Sequence, residues 1–276
     1  MNLKSTTNTM NLAKRLNSDI AIKRARFSKM YDYDGNKFFD FYLDNGNVFL
    51  GYSYKSFTKL IKNTISYGFL NYYPNHLELR AKKLLNDLYP NFDFYFFYNL
   101  ISIKNMLQKY NIDIINYDSN NYIGLNKCLI LGNRTLRKSF DLTDVSCFVL
   151  YPSISNGMQV YALGVKKDLN IPIKEDKLPI IYYQAIISTI SEYKKVYNSL
   201  DKIFIEKLKD YMENIDYKGG GIFSVKSLVI TKEIRNKLFE KCIFVVENQD
   251  EFFLCLETEP HQIKYFFKTL SSLKMI

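Results

Sequence analysis

The chain has 276 residues, of which 47% are hydrophobic and 24% charged, as is typical of a globular protein that buries a core. No apolar run approaches the ~18–20 residues that span a bilayer, and the amino terminus has no apolar signal-like stretch, so we expect a cytoplasmic protein without a membrane partner. The net charge is +10, but the basic residues are scattered, which argues against nucleic acid as a partner.

The cysteines and histidines show no metal-binding pattern. The cysteines are Cys128, Cys147, Cys242 and Cys255. They are far apart and lack CxxC spacing, so we expect reduced, buried thiols. The two histidines, His76 and His261, lie near the starts of different predicted helices. The sequence therefore predicts no metal site.

The first predicted segment, residues 1–70, contains a hairpin followed by a helix. Residues 27–33 and 37–43 alternate and are rich in aromatic side chains, and the Asp-Gly-Asn at 34–36 between them is typical of a tight turn. Apolar residues at helical spacing predict a helix over 54–67, which Gly68 would end.

The second predicted segment, residues 71–177, alternates helices with strands, which favours a reduced α/β large domain. Helices are predicted at residues 75–88 and 101–110. Strands are predicted at residues 92–98, 112–117, 127–131, 145–150 and 158–165. The stretch 170–179 contains two prolines and a charge cluster, and it is the best boundary in the chain.

The third predicted segment, residues 178–276, has an α+β pattern. One long helix or two consecutive helices follow residue 180, and a glycine-rich turn follows at 218–221. Further helices are predicted at residues 231–241 and 259–273, and further strands at residues 222–230, 243–247 and 252–256. We expect Thr258 to be the N-cap of the last helix.

Two stretches of the sequence carry a resemblance. Residues 31–41 read YDYDGNKFFDF, and residues 50–68 read LGYSYKSFTKLIKNTISYG. In this order and spacing they resemble the start of a class III aminotransferase, most like glutamate-1-semialdehyde aminomutase. The resemblance implies an α/β fold, namely a truncated transferase fold of type I that depends on pyridoxal phosphate (PLP). Its central sheet would be reduced and flanked by helices, and its carboxyl-terminal small domain would be α+β. It also implies a dimer whose sites lie between subunits.

The family cofactor, pyridoxal phosphate, needs a phosphate cradle, and the matching residues depart from the family pattern. The cradle is an Asn-Ser-Gly-Thr-Glu-Ala motif after the first strand of the large domain, and Asn99 matches its first position. Ile101 and Ser102 stand in place of the glycine and the threonine. A β-branched isoleucine would obstruct close approach of the backbone to a phosphate.

The other chemical positions of the family also differ. The aspartate that pairs with the cofactor ring nitrogen matches Leu131, with Gly132 at the following glutamate. The lysine that binds the cofactor aldehyde matches Pro152. The interface threonine of the family has no counterpart in residues 174–179. We therefore expect no catalytic residue at these positions, no identified cofactor-binding residue and no bound cofactor.

The leading interpretation is a non-catalytic aminotransferase-like protein that acts through dimerisation. It would form a homodimer, or a heterodimer in which it is the partner or regulator of an active aminotransferase-like enzyme. The alternative is an active enzyme of the aminotransferase or aminomutase type that uses a displaced lysine, Lys104, Lys166 or Lys167. A further alternative is a cleft repurposed for another reaction. The polar candidates for such a cleft are Asn99, Ser102, Asn133, Arg134, Thr135 and Arg137. In that interpretation Arg134 and Arg137 bind an anion together, and in the other interpretation they form a solvated basic turn.

Overall fold

The structure is a computed structural model of the chain. The residues that it describes are 13, 15, 20–68, 75–116, 127–132, 136–137, 142–143, 145–151, 153–169 and 171–276. The chain divides into two compact units. We call Met1–Tyr54 together with Ser199–Ile276 the terminal unit, and Lys55–Asn198 the central unit.

Strands and helices are numbered in chain order among the described residues. The strands are β1 Ile22–Arg26, β2 Lys29–Asp32, β3 Lys37–Asp40, β4 Phe92–Phe97, β5 Asp113–Asn116, β6 Lys127–Gly132, β7 Cys147–Leu150, β8 Tyr161–Lys166, β9 Ile215–Gly219, β10 Ile222–Val225, β11 Ile243–Phe244 and β12 Phe252–Phe253. The helices are α1 Lys55–Ile65, α2 His76–Leu88, α3 Leu100–Gln108, α4 Ile180–Val196, α5 Leu200–Leu208, α6 Lys232–Glu240 and α7 Pro260–Ser272.

The central unit contains a five-stranded sheet with the order β4-β8-β7-β6-β5. Strands β5, β6 and β7 are parallel, whereas β8 runs antiparallel to both β7 and β4. Strand β4 therefore points the same way as β5, β6 and β7. The carboxyl ends of β4, β6 and β7 consequently meet at one edge of the sheet, which we call the carboxyl edge.

The two faces of this sheet are covered by different parts of the chain. On one face, α2 and α4 bury an apolar cluster that includes Phe94, Phe148 and Ile186. On the other face, α3 buries a second cluster that includes Ile103 and Leu163. The predicted α/β architecture of this region is confirmed, and its central strands β7 and β8 are buried on both faces, as their continuous apolar sequences require.

The terminal unit combines two small sheets with the last helices of the chain. One sheet has the order β1-β2-β3-β11, and the other has the order β12-β10-β9. The predicted hairpin is present as β2 and β3, and Asp32 Oδ1 accepts the backbone N–H groups of Asp34 and Asn36 in its turn. Strands β1 and β9 were not predicted, and the predicted strand 222–230 ends at Val225.

The start of α7 differs from the prediction. Its N-cap is Glu259, and Gln262 Oε1 accepts the backbone N–H of Glu259 at 2.7 Å. Thr258, the predicted N-cap, is buried, and its hydroxyl accepts the backbone N–H of Cys255 at 3.0 Å. The prediction was wrong by one residue because the threonine hydroxyl stabilises the preceding turn instead.

The compact units group the chain differently from the three predicted segments, 1–70, 71–177 and 178–276. Helix α4 follows the predicted boundary at 170–179, yet it belongs to the central unit, where it packs against α2 and α1. The three-segment division therefore stays a prediction about sequence segments. No described helix is both long enough and apolar enough to cross a membrane.

Candidate functional site

The carboxyl edge of the central sheet is the candidate site, because ligands of open α/β sheets bind outside the carboxyl ends of the strands. Two positions matched by the family resemblance fall there. Asn99 directly follows β4, and Leu131 is the penultimate residue of β6. The third position, Pro152, lies outside the described residues. The sequence alignment and the sheet topology thus agree on where the family chemistry would be.

The amino end of α3 is closed by its own cap. Asn99 Oδ1 accepts the backbone N–H of Ser102 at 2.8 Å. This bond engages a backbone donor of the kind that binds phosphate at a helix amino terminus. Ile101 lies in the first turn and is 69% exposed. An exposed β-branched side chain therefore stands where the family motif has a glycine.

The end of β6 is apolar. Leu131 is only 2% exposed and belongs to an apolar cluster that also contains Leu150 and Ile154, both fully buried. Gly132 has φ +56°, and its carbonyl accepts a hydrogen bond from the Ser153 hydroxyl at 3.3 Å. A carboxylate at position 131 would lose its hydration among these side chains. The carboxyl end of β6 is therefore part of the apolar core of the central unit.

Three tyrosines at the same edge were missed by the sequence analysis. Tyr151 and Tyr161 stack with their ring centroids 4.3 Å apart and their planes 2° from parallel. The Tyr98 hydroxyl donates a hydrogen bond to the Lys177 carbonyl at 3.0 Å. The signal for all three was an aromatic residue directly at a strand end, which the motif comparison did not use.

The displaced-lysine candidates do not meet at the carboxyl edge. Lys104 is exposed on α3. Lys166 ends β8 and Lys167 follows it, and because β8 is antiparallel, both lie at the opposite edge of the sheet. Their ammonium groups donate hydrogen bonds to the carbonyls of Thr143 and Pro90, at 3.2 and 2.7 Å respectively.

The polar candidates for a repurposed cleft are separated or lie outside the described residues. Asn133, Arg134 and Thr135 are not described. Arg137 is 2% exposed, so the interpretation of this region as a solvated basic turn is wrong for Arg137. Among the described residues, Asn99 and Ser102 are the pair that meets, and they bond to each other as the helix cap.

One lysine with a lowered pKa lies in the terminal unit. Burial lowers the pKa of Lys207, whose ammonium group donates a hydrogen bond to the Leu256 carbonyl at 2.8 Å. No sequence pattern distinguishes this residue, because it lies among several lysines of one helical stretch. A lower pKa makes an amine more nucleophilic at neutral pH.

The described residues contain no group of three or more potential metal ligands. His261 Nδ1 lies 3.6 Å from Glu259 Oε2, and both side chains are exposed. His76 lies in the central unit, at the start of α2, whereas His261 belongs to the terminal unit. The structure therefore gives no support for a histidine-based catalytic or metal site within the part of the chain that it describes.

Comparison with known proteins identifies relatives for part of the chain. No protein-family model matches it. An uncharacterized protein of Borreliella burgdorferi is 44% identical over 54 residues, which are 20% of each chain. Glutamate-1-semialdehyde 2,1-aminomutase of Thermodesulfovibrio yellowstonii is 35% identical over 72 residues, which are 26% of this chain and 17% of the relative. The matches thus span a fifth or less of the length of these curated relatives.

Solved structures share the fold over nearly all of the chain. Ornithine δ-aminotransferase of Plasmodium falciparum has a TM-score of 0.70 at 12% identity, covering 98% of this chain and 99% of its own. A glutamate-1-semialdehyde aminomutase of Pseudomonas aeruginosa, in complex with PMP, has a TM-score of 0.64 at 10% identity, covering 93% and 87%. The resemblance to class III aminotransferases and the truncated PLP-transferase fold are confirmed.

The prediction of no cofactor is wrong in view of these comparisons. A transaminase with PLP bound has a TM-score of 0.70, covering 91% of this chain and 89% of its own at 10% identity, and the Pseudomonas aeruginosa enzyme holds PMP. The described residues do not fit this group as a catalytic cofactor, however. Leu131 offers no carboxylate for the ring nitrogen, and the amino end of α3 is capped by Asn99 and flanked by Ile101.

Proposed function

We propose that this chain is an aminotransferase-like protein that has lost turnover and acts through assembly with a second subunit. The observation that carries the proposal is the buried Leu131, which is 2% exposed among apolar side chains. Turnover in the family depends on a carboxylate at this position, because a protonated pyridine nitrogen lets the cofactor ring accept electrons. A leucine side chain has no charge with which to stabilise the protonated nitrogen.

The proposal concerns turnover and is compatible with retention of pyridoxal phosphate. The PLP- and PMP-containing neighbours support the cofactor as a ligand of this fold. Hydrogen bonds and stacking could hold the molecule without a reacting amine. The exposed Tyr98 and the half-buried Tyr151 are aromatic groups at the carboxyl edge.

The surface of α1 supports assembly. This helix carries apolar residues at helical spacing, yet Thr64 is its one buried residue. Leu60 is 39% exposed and Ile65 is 45% exposed, and Tyr67, just beyond the helix, is 72% exposed. Exposed apolar side chains that form a contiguous patch mark interaction surfaces in soluble proteins. We call Leu60, Ile65 and Tyr67 the α1 face.

The proposed occupant of the α1 face is a second copy of this chain. One apolar face can pair with its own copy across a two-fold axis, which is the commonest symmetry of homo-oligomers. The family resemblance also implies a dimer. A different aminotransferase-like subunit bound to the same face would give the heterodimer considered above.

Light scattering during size-exclusion chromatography tests this assembly over a range of concentrations. The wild-type chain should have the mass of a dimer, and Leu60→Glu and Ile65→Glu should shift it to a monomer with an unchanged circular dichroism spectrum. The matched control is Val229→Glu, because Val229 is 66% exposed and lies in the terminal unit. A wild-type chain that stays monomeric at every concentration would overturn the proposal of self-assembly.

A further inference from the structure

A cavity lies at the edge of the central sheet opposite to the carboxyl edge, where β4 begins and β8 ends. Its volume is about 350 Å³, near the lower end of the ~300–1,000 Å³ range of small-molecule sites. The residues that matter for binding are Leu88, Tyr89, Phe92, Leu142, Thr143 and Lys166. None of these residues belongs to the candidate site at the carboxyl edge, and Lys166 is one of the three lysines named as displaced-lysine candidates.

One part of the cavity is apolar and well fixed. Leu88, Phe92 and Leu142 supply hydrocarbon surface, and all three belong to or pack against the apolar core of the central unit. The Tyr89 ring lies 5.1 Å from the Phe148 ring, between centroids, which holds it in place at the end of α2. These walls suit the apolar body of a small molecule.

The other part of the cavity is cationic. The Lys166 backbone N–H is fixed on the Ser146 carbonyl at 3.0 Å, and its ammonium group donates to the Thr143 carbonyl at 3.2 Å. Lys167 follows directly, and its ammonium group donates to the carbonyl of Pro90, which also lines the cavity, at 2.7 Å. An ammonium group has three N–H donors, so each lysine keeps donors for an anion.

We propose that this cavity binds a small carboxylic acid with an apolar body. The carboxylate would accept hydrogen bonds from the Lys166 ammonium group at the rim, with Lys167 adding positive charge beside it. The body would lie against Leu88, Phe92 and Leu142. Charge-assisted hydrogen bonds of this kind are about twice as strong as neutral ones, so the charge should decide affinity.

This site is independent of the proposed assembly and of any pyridoxal phosphate. The cavity lies where β4 starts, whereas the family chemistry maps to where β4, β6 and β7 end. The described residues that line the cavity include none from the α1 face. A ligand here could therefore be lost or kept without any change in dimer mass.

Benzoate is a suitable probe, with benzamide as its uncharged counterpart of the same shape. Titration into the labelled protein, followed by heteronuclear NMR, should shift the resonances of Leu88, Phe92 and Leu142 with benzoate and only weakly with benzamide. Lys166→Gln should weaken benzoate binding about tenfold, as the loss of one charge-assisted hydrogen bond predicts. The matched control, Lys104→Gln, removes an exposed lysine on α3 and should leave binding unchanged.

A second variant fills the cavity. Leu88→Trp should abolish binding while the thermal unfolding transition remains cooperative, since Leu88 is only partly buried. The proposal is overturned if benzoate shifts no cavity resonance, if benzamide binds equally well, or if Lys166→Gln binds benzoate as tightly as the wild type does.

Discussion

The Tyr52 hydroxyl donates a hydrogen bond to Asp40 Oδ2 at 2.8 Å, and this pair joins the end of β3 to the loop before α1. The other carboxylate oxygen of Asp40 accepts the backbone N–H groups of Tyr42 and Leu43, at 2.8 and 2.9 Å. Asp40 is 2% exposed. Burial raises the pKa of Asp40 from 3.8 to about 6, although these three bonds favour the charged form.

The raised pKa of Asp40 predicts that the free energy of unfolding falls as the pH rises. Between pH 3.8 and about 6, the folded chain keeps a proton on Asp40 that the unfolded chain releases. The stabilisation that comes from the protonated Asp40 is complete below pH 3.8 and is lost as the pH rises through about 6. The loss should be about 3 kcal/mol in the free energy of unfolding. Urea unfolding at a series of pH values measures it.

Substitution isolates the effect of this residue. Asp40→Asn should flatten the pH dependence in that window, whereas Asp216→Asn, which changes an exposed aspartate, should not. Tyr52→Phe should lower stability at neutral pH by about 1–3 kcal/mol, because one oxygen of a buried carboxylate loses its donor. An unchanged pH profile in Asp40→Asn would refute the assignment.

The edge of the central sheet gives a second prediction. Strand β4 is at the edge, and Glu175 Oε2 accepts the backbone N–H of Phe96 at 3.1 Å while its Oε1 pairs with Lys82 at 2.5 Å. Next to it, Asp176 Oδ2 accepts the backbone N–H of Tyr98 at 2.9 Å. Two carboxylates thus satisfy donors that would otherwise be available to another strand.

Glu175→Ala should therefore lower the free energy of unfolding by about 1–3 kcal/mol. It should also accelerate hydrogen exchange at Phe96, since that amide loses its acceptor. Glu247→Ala is the control, because Glu247 is exposed, and its effect should stay within about 0.5 kcal/mol. Exchange at Phe96 that is no faster in Glu175→Ala than in the control would contradict the role given to Glu175.

Replacing Leu131 by the aspartate of the family should destabilise the folded protein. Leu131→Asp places a carboxylate among fully buried side chains, so we expect a loss of at least about 3 kcal/mol in the free energy of unfolding. Leu79→Asp, at a position that is 70% exposed on α2, should be nearly neutral. Chemical denaturation of both variants provides the comparison. A stable Leu131→Asp variant would show that the site accepts a carboxylate.

Gly164 gives a prediction about packing in the same sheet. A Cβ at this position would lie 2.8 Å from the Phe148 ring and 3.0 Å from the Phe94 ring. Gly164→Ala should therefore cost about 1–3 kcal/mol of stability. In a double-mutant cycle with Phe148→Leu, part of that cost should be recovered, because the smaller side chain makes room. Strict additivity of the two substitutions would contradict this contact.

The parts of the fold that could be predicted are those with a strong local signal. The hairpin of β2 and β3 has its Asp-Gly-Asn turn, and α2 has an Asn75 cap and a leucine stripe. Strand β1 was missed because its sequence, IKRAR, has no apolar alternation. It pairs with β2 as a hairpin that aligns Arg24 with Tyr31, but the two connecting residues, Phe27 and Ser28, are not a typical turn pair.

The residue types at the candidate site could be predicted from the sequence, but their positions in the fold could not. The mismatch at Leu131 follows from a motif comparison, but its burial depends on β7 and α4 arriving from distant parts of the chain. Lys166 and Lys167 could be named as amines from the sequence. Their place at the opposite edge follows from the antiparallel direction of β8, which the apolar pattern of the strand cannot specify.

The most direct test of lost turnover is covalent capture of pyridoxal phosphate. The purified protein is incubated with the cofactor, its absorption spectrum is recorded, and the sample is reduced with borohydride before intact-mass analysis and peptide mapping. We predict no adduct at one equivalent, whether or not the spectrum before reduction shows retained cofactor. A single lysine carrying one equivalent of reduced cofactor would contradict the account and identify an active, displaced catalytic amine.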